Sequence, residues 1–121
     1  MSTTMASSIL NITDLMQRVD DDREFLAELF FIFKTVFPAH LQRLSDAIAG
    51  NDSSQVESES HALKGMLLNL SAPRAAAAAG VLEKMGRDRH SHGMKQAFAA
   101  LQSEVDALLS QIDRYPIDPQ S

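Results

Sequence analysis

Cysteine is absent from the 121 residues of this chain. That excludes disulfides, thiolate nucleophiles and zinc sites of the cysteine type. A reducing cytosol is consistent with it. Basic residues are few, 11 against 16 acidic ones for a net charge of −5. With no Lys/Arg-rich run, a nucleic-acid partner is not expected. Long apolar runs are missing too. The longest, Leu29 to Phe33, is far too short to span a bilayer. Met1 to Ser8 is rich in Ser and Thr but has neither basic residues nor an apolar stretch, so it reads as neither signal peptide nor anchor. A cytoplasmic location is expected. β-branched runs and alternating segments bounded by turn pairs are scarce, which argues against strands. What remains is an all-α chain of a length that suits one domain with a real core.

Helix signals divide that domain. Asn11 or Thr13 can cap a short first helix through about Val19, and Asp20-Asp21-Asp22 supplies a cap and negative charge for the next. The second helix carries Leu26, Leu29, Phe30, Phe33, Phe37, Leu41, Leu44 and Ile48 at spacings of three and four, and should end at Gly50. Pro38 predicts a kink near residues 34 to 38, or else a break into two helices. A third helix follows from about Ser53 to Leu70. Pro73 suits the first turn of a fourth, Gly86 its C-terminal cap, and Ala75 to Ala79 with Gly80 a smooth face for close helix approach. After a loop from Arg87 to Gly93, a fifth helix places Met94, Phe98, Leu101, Val105, Leu108 and Ile112 on one side, and Pro116 and Pro119 end it. The expected architecture is an antiparallel four-helix bundle over residues 10–115 with a short additional N-terminal helix. Residues 1–9 are expected to be a disordered stub and 116–121 a tail.

The third helix holds the most informative residues. Stepping 100° per residue, Val56, Leu63, Met66, Leu67 and Leu70 fall within an arc of roughly 100°, a core-facing stripe. His61 lies about 160° from its centre and is presented outward. Gly65 and Leu68 land on either side of it, and Lys64 sits one turn along toward the flank. A glycine inside a helix costs roughly 1 kcal/mol relative to alanine. Taken singly, His61 and Lys64 read as ordinary exposed residues, but an exposed histidine, a cation and a deliberate gap together read as a reactive imidazole.

The run His61-Ala62-Leu63-Lys64-Gly65, continuing to Asn69-Leu70-Ser71-Ala72, closely resembles the signature of histidine-containing phosphotransfer (HPt) domains, and the order of helices over roughly residues 10 to 114 is similar to theirs. The resemblance implies that His61 accepts a phosphoryl group from an aspartyl-phosphate on a receiver domain and passes it to another receiver aspartate. A neutral imidazole is competent for this near neutral pH. Lys64 would stabilise charge on the phosphoryl oxygens. Metal ion and aspartate would belong to the receiver, so this chain is expected to use no metal and no cofactor. Gly65 would give the receiver access to the imidazole; its other reading is a helix contact that needs a small residue, which applies more naturally to Gly80. Two departures bear on local packing and partner choice. Ser71 stands where many members have Gly, and Met66-Leu67-Leu68 where small residues are frequent.

Glu83 matches a Glu that phosphotransfer domains of the chemotaxis-kinase type often carry on the adjacent helix. By that resemblance it would accept from the imidazole Nδ1 and leave Nε2 free to attack; otherwise it is a solvated member of a Glu-Lys pair. Lys84 and Arg87 form either a positive rim for the receiver's acidic pocket or plain surface charge, and Leu68 suits a docking surface. His90 and His92 lack a matched carboxylate spacing and make weak metal ligands. The sequence thus describes a monomeric phosphoryl carrier of a two-component phosphorelay, not an autonomous enzyme, with receiver domains as its partners. The alternative is a non-catalytic helical adaptor that binds a signalling partner.

Overall fold

A computed structural model describes residues 8–114, and every regular element among them is helical. The elements are α1 (Ile12–Arg18), α2 (Arg23–Ala49), α3 (Ser53–Asn69), α4 (Pro73–Arg87) and α5 (Met94–Arg114). Helices α2 to α5 form an antiparallel ring in chain order, with α5 closing against α2 and α3 packing most extensively on α4. The bundle with an added N-terminal helix is therefore as expected. The expected tail at 116–121 and most of the stub lie outside the described residues. Ile9 and Leu10, at the start of the description, pack half-buried on the core.

Short polar side chains start the helices by accepting amides that have no partner inside the helix. Asn11 accepts from the Asp14 amide, Asp22 from Phe25 and Asp52 from Gln55, each at 3.0–3.1 Å. Helix α4 has no such cap and begins on Pro73, which has no amide to satisfy. Pro38 does not break α2, which runs unbroken for 27 residues. The proline lies on the exposed side, where the Lys34 carbonyl it leaves without a partner can turn to water. On the buried side, Phe33 and Phe37 stack with ring centroids 4.5 Å apart.

Helix α3 buries Val56, Leu63 and Leu67 completely and Leu70 nearly so, while Met66 is only half-buried. Burial of each leucine is worth roughly 1.5–3 kcal/mol, so the helix cannot rotate to hide His61 without losing that. Beyond α3, Ser71 adopts a left-handed φ of 57°, a conformation that favours glycine. Its side chain offsets the cost: the hydroxyl donates to Asp14 Oδ2, and the Ser71 carbonyl accepts from the Asn11 amide at 2.8 Å. Ser71 therefore fastens α1 over the α3–α4 turn.

Gly86 is not the cap of α4. The helix continues to Arg87 with Asp88 as cap, and Gly86 is pressed against the first turns of α3. A Cβ there would lie 2.6 Å from the Glu57 nitrogen and 2.8 Å from the Ser53 oxygen. Backbone atoms cannot yield as side chains do, so the close approach of the two helices depends on this glycine. Gly80 meets only the Lys64 side chain, at an ordinary 3.6 Å. Substitution of Gly86 by Ala should destabilise the protein by about 1–3 kcal/mol through overpacking, despite the gain in helix propensity. Urea denaturation followed by circular dichroism measures this, and a variant as stable as the parent would show that α3 and α4 can separate freely.

Candidate functional site

The α3–α4 pairing brings His61 and Glu83 together across the helix interface. His61 projects from the middle of α3 with its side chain 71% exposed. Glu83, one turn before the end of α4, is only 7% exposed, an expensive place for a carboxylate without partners. It has them. Its Oε2 lies 2.8 Å from His61 Nδ1 and its Oε1 2.7 Å from Lys64 Nζ. The Lys64 ammonium holds the Glu83 carboxyl below the usual carboxylate range, His61 adds to the effect, and burial opposes it.

The tautomer follows from the charge. An ionised carboxylate can only accept hydrogen bonds, so the proton between the two groups sits on Nδ1, and the neutral ring keeps its lone pair on Nε2. The arrangement can therefore present a nucleophilic nitrogen from a rigid helix and hold a charge opposite to the one the ring acquires when that nitrogen is substituted.

The residues expected at the site fall into three groups. His61, Lys64 and Glu83 form one connected set, and Arg87 joins it: its guanidinium is 3.7 Å from Glu83 Oε2 and 3.7 Å from Glu57 Oε2. Gly65 and Leu68 share the outward side of α3. Apart from its chain neighbours and the backbone of its own helix turn, nothing lies within 4 Å of where a Gly65 Cβ would be, and Leu68 is half-exposed. The helix-contact reading of Gly65 therefore has nothing to rest on, and the contact that needs a glycine is at Gly86. Lys84 stands apart, paired with Asp88 at 3.0 Å. His90 and His92 face each other edge-on, ring centroids 6.3 Å apart, and no group of three His, Asp or Glu that could hold a metal occurs among the described residues.

Sequence reasoning missed three features. Glu57 tethers Arg87, an i to i+30 relation that helical periodicity cannot show. The stem of Lys64 runs past Gly80 on its way to Glu83, where an added Cβ would meet it at ordinary contact distance. The second helix also carries a stripe beside its core seam. Phe25, Leu29, Ile32 and Val36 are spaced by four, three and four; Leu29 is half-buried and the other three are exposed, as is Phe31 on another side. His40 and Arg43 continue the same stripe and meet Glu59 of α3, so the apolar part flanks α3. The repeat is visible in the sequence, but of its members only Leu29 is counted there, as part of the core seam, and Phe25, Ile32 and Val36 are given no role.

No described helix is long and apolar enough to cross a membrane. No curated protein matches the chain. Among solved structures the chain is similar to histidine-containing phosphotransfer protein B from Pseudomonas aeruginosa PAO1, with a TM-score of 0.81 and 18% sequence identity over 90% of this chain and 98% of that one. At that identity the likeness establishes the fold. The family model of the Hpt domain matches residues 28–111, well over half of the chain and including the whole of α3 and α4. The chain thus belongs to the family of Hpt domains, the histidine-containing phosphotransfer modules.

Proposed function

We propose that His61 is the residue on which this phosphotransfer protein carries its phosphoryl group, with Nε2 as the attacking atom. The observation that carries the reading is the 2.8 Å contact between exposed His61 Nδ1 and buried, ionised Glu83. Hpt domains are phosphocarrier intermediates that work with receiver domains in phosphorelays. On acceptance, the bond from phosphorus to the receiver's aspartyl oxygen breaks, the bond to Nε2 forms, and the aspartate leaves as a carboxylate. The ring keeps its Nδ1 proton and becomes cationic. Glu83 already faces that charge, so it favours the transition state over the neutral ground state. Return of the phosphoryl group to another aspartate reverses the step. The protein then acts as carrier, not as an autonomous enzyme.

Lys64 takes its place in this scheme through Glu83. Its ammonium is engaged with the buried carboxylate, so its main work is to keep Glu83 ionised and oriented and only secondarily to meet phosphoryl oxygens. Open space at Gly65, exposed Leu68 and the apolar flank of α2 offer a receiver a surface around the imidazole, with Arg87 and Lys84 as cations at the α4 end.

Labelling by a phosphorylated receiver should give a linkage stable to alkali and labile to acid. His61→Gln should abolish labelling while circular dichroism shows unchanged helical content; label that persists or moves to His40, His90 or His92 would overturn the assignment. Lys64→Ala and Glu83→Gln should each slow transfer in rapid-quench experiments at saturating receiver. Combined, they should be no slower than the worse single variant, a coupling of about 0.5–3 kcal/mol. Multiplicative effects would place Lys64 directly on the phosphoryl group. At Gly65, alanine should raise stability by up to about 1 kcal/mol, while Gly65→Gln should keep the fold and obstruct transfer. A Gln variant that transfers at the parental rate would refute the access role.

A further inference from the structure

An acid stands one turn before His61 on the same helix. Glu57 precedes the histidine by four residues, so the two side chains leave α3 as neighbours on one face, and 42% of the Glu57 side chain is exposed. A phosphoryl group on Nε2 would set nearly two negative charges close to that carboxylate. Between them lies Arg87 of α4, with Nε 3.7 Å from Glu57 Oε2 and Nη2 3.7 Å from Glu83 Oε2. That same Glu83 oxygen meets His61 Nδ1 at 2.8 Å, so the guanidinium is no farther from the ring than these two contacts laid end to end.

The cations near the ring are held unequally. Lys64 is fixed on Glu83 Oε1 at 2.7 Å, and Lys84 is paired with Asp88 at 3.0 Å. Arg87 has two partners, but both contacts are too long for hydrogen bonds, and 55% of its side chain is exposed. It can turn toward a new anion without leaving a buried carboxylate alone, because Glu83 keeps Lys64 and His61 while Glu57 is reached by water.

We propose that Glu57 and the phosphoryl group on His61 compete for Arg87. Glu57 is then a positioning residue: it holds the guanidinium beside the empty ring and yields it when the ring is loaded. The inference rests on His61 being the carrier residue. A phosphoryl group offers three acceptor oxygens, more charge than a carboxylate, and the geometry for a bidentate guanidinium contact, so the exchange favours the loaded ring. No proton moves and no covalent bond breaks; one ion pair replaces another. The loaded carrier therefore presents an uncovered Glu57 one turn from the phosphohistidine, which the empty carrier does not.

The test treats the full chain with phosphoramidate, which transfers its phosphoryl group to an imidazole nitrogen and leaves as ammonia. The phosphorus magnetic resonance signal is then followed from about pH 9 to about pH 5, across the second ionisation of the group. A neighbouring cation favours the dianion and lowers the midpoint, and a neighbouring anion raises it. Arg87→Gln should raise the midpoint by roughly 0.2–0.7 of a pH unit and Glu57→Gln should lower it by a similar amount, the range that exposed ion pairs support. In the Arg87→Gln background, Glu57→Gln should lower it less than in the parent, because no guanidinium is left to release. The Arg87 Nε–H signal of the parent should also move on labelling. An unchanged midpoint in Arg87→Gln would overturn the proposal. So would a Glu57 effect of equal size with and without Arg87, which is direct repulsion alone. A chain whose His61 takes no label defeats the carrier reading itself, and the competition with it.

Discussion

The site depends on a carboxylate kept out of water. Glu83 would be costly where it stands without cations on both of its oxygens, and the two that lie closest, Lys64 and His61, belong to the same helix, three residues apart. The spacing of three is what lets both reach one carboxylate across the interface. A single buried charge thereby fixes the rotation of an exposed imidazole, decides which nitrogen carries the proton and gives the lysine a fixed place. Everything else in the α3–α4 pair serves to bring that carboxylate within reach. Alanines line the face of α4, Gly86 lets backbone meet backbone, and the leucines of α3 hold the histidine on the outside.

Two buried or half-buried acids, Glu59 on α3 and Glu83 on α4, are each met by a histidine and a second cation. In both, the two partners take separate oxygens: His61 and Lys64 at Glu83, His40 and Arg43 at Glu59. The difference lies in the histidines. His61 is 71% exposed and can be approached from solvent, whereas His40 is 21% exposed and lies in the seam between α2 and α3.

Much of this was legible in the chain. The outward direction of His61 followed from counting 100° per residue, because five apolar side chains within one arc leave a helix no other orientation. The capping residues and Pro73 marked helix starts because free amides select few side chains. Gly86 misled because a glycine near a helix end fits a cap and a close approach equally well, and only the neighbouring backbone distinguishes them. The role of Lys64 was incomplete for a related reason. Sequence places a cation beside a histidine but does not say that a buried acid on another helix claims it first. The exposed stripe of α2 went unassigned, since its repeat runs beside a longer apolar seam on the same helix and only a second count along the helix separates the two.

The fastening of α1 by Ser71 also bears on how the molecule opens. Every member of the His61 set lies on the α3–α4 hairpin, whereas α1 is held at the turn of that hairpin by Ser71 and the Asn11 amide. Local unfolding in proteins proceeds by cooperative units of unequal stability. Detachment of α1 or fraying at the end of α5 therefore leaves the hairpin, and His61 with it, in register. The His61, Lys64 and Glu83 set is held by the α3–α4 contact itself, so excursions of the outer helix ends do not separate its members.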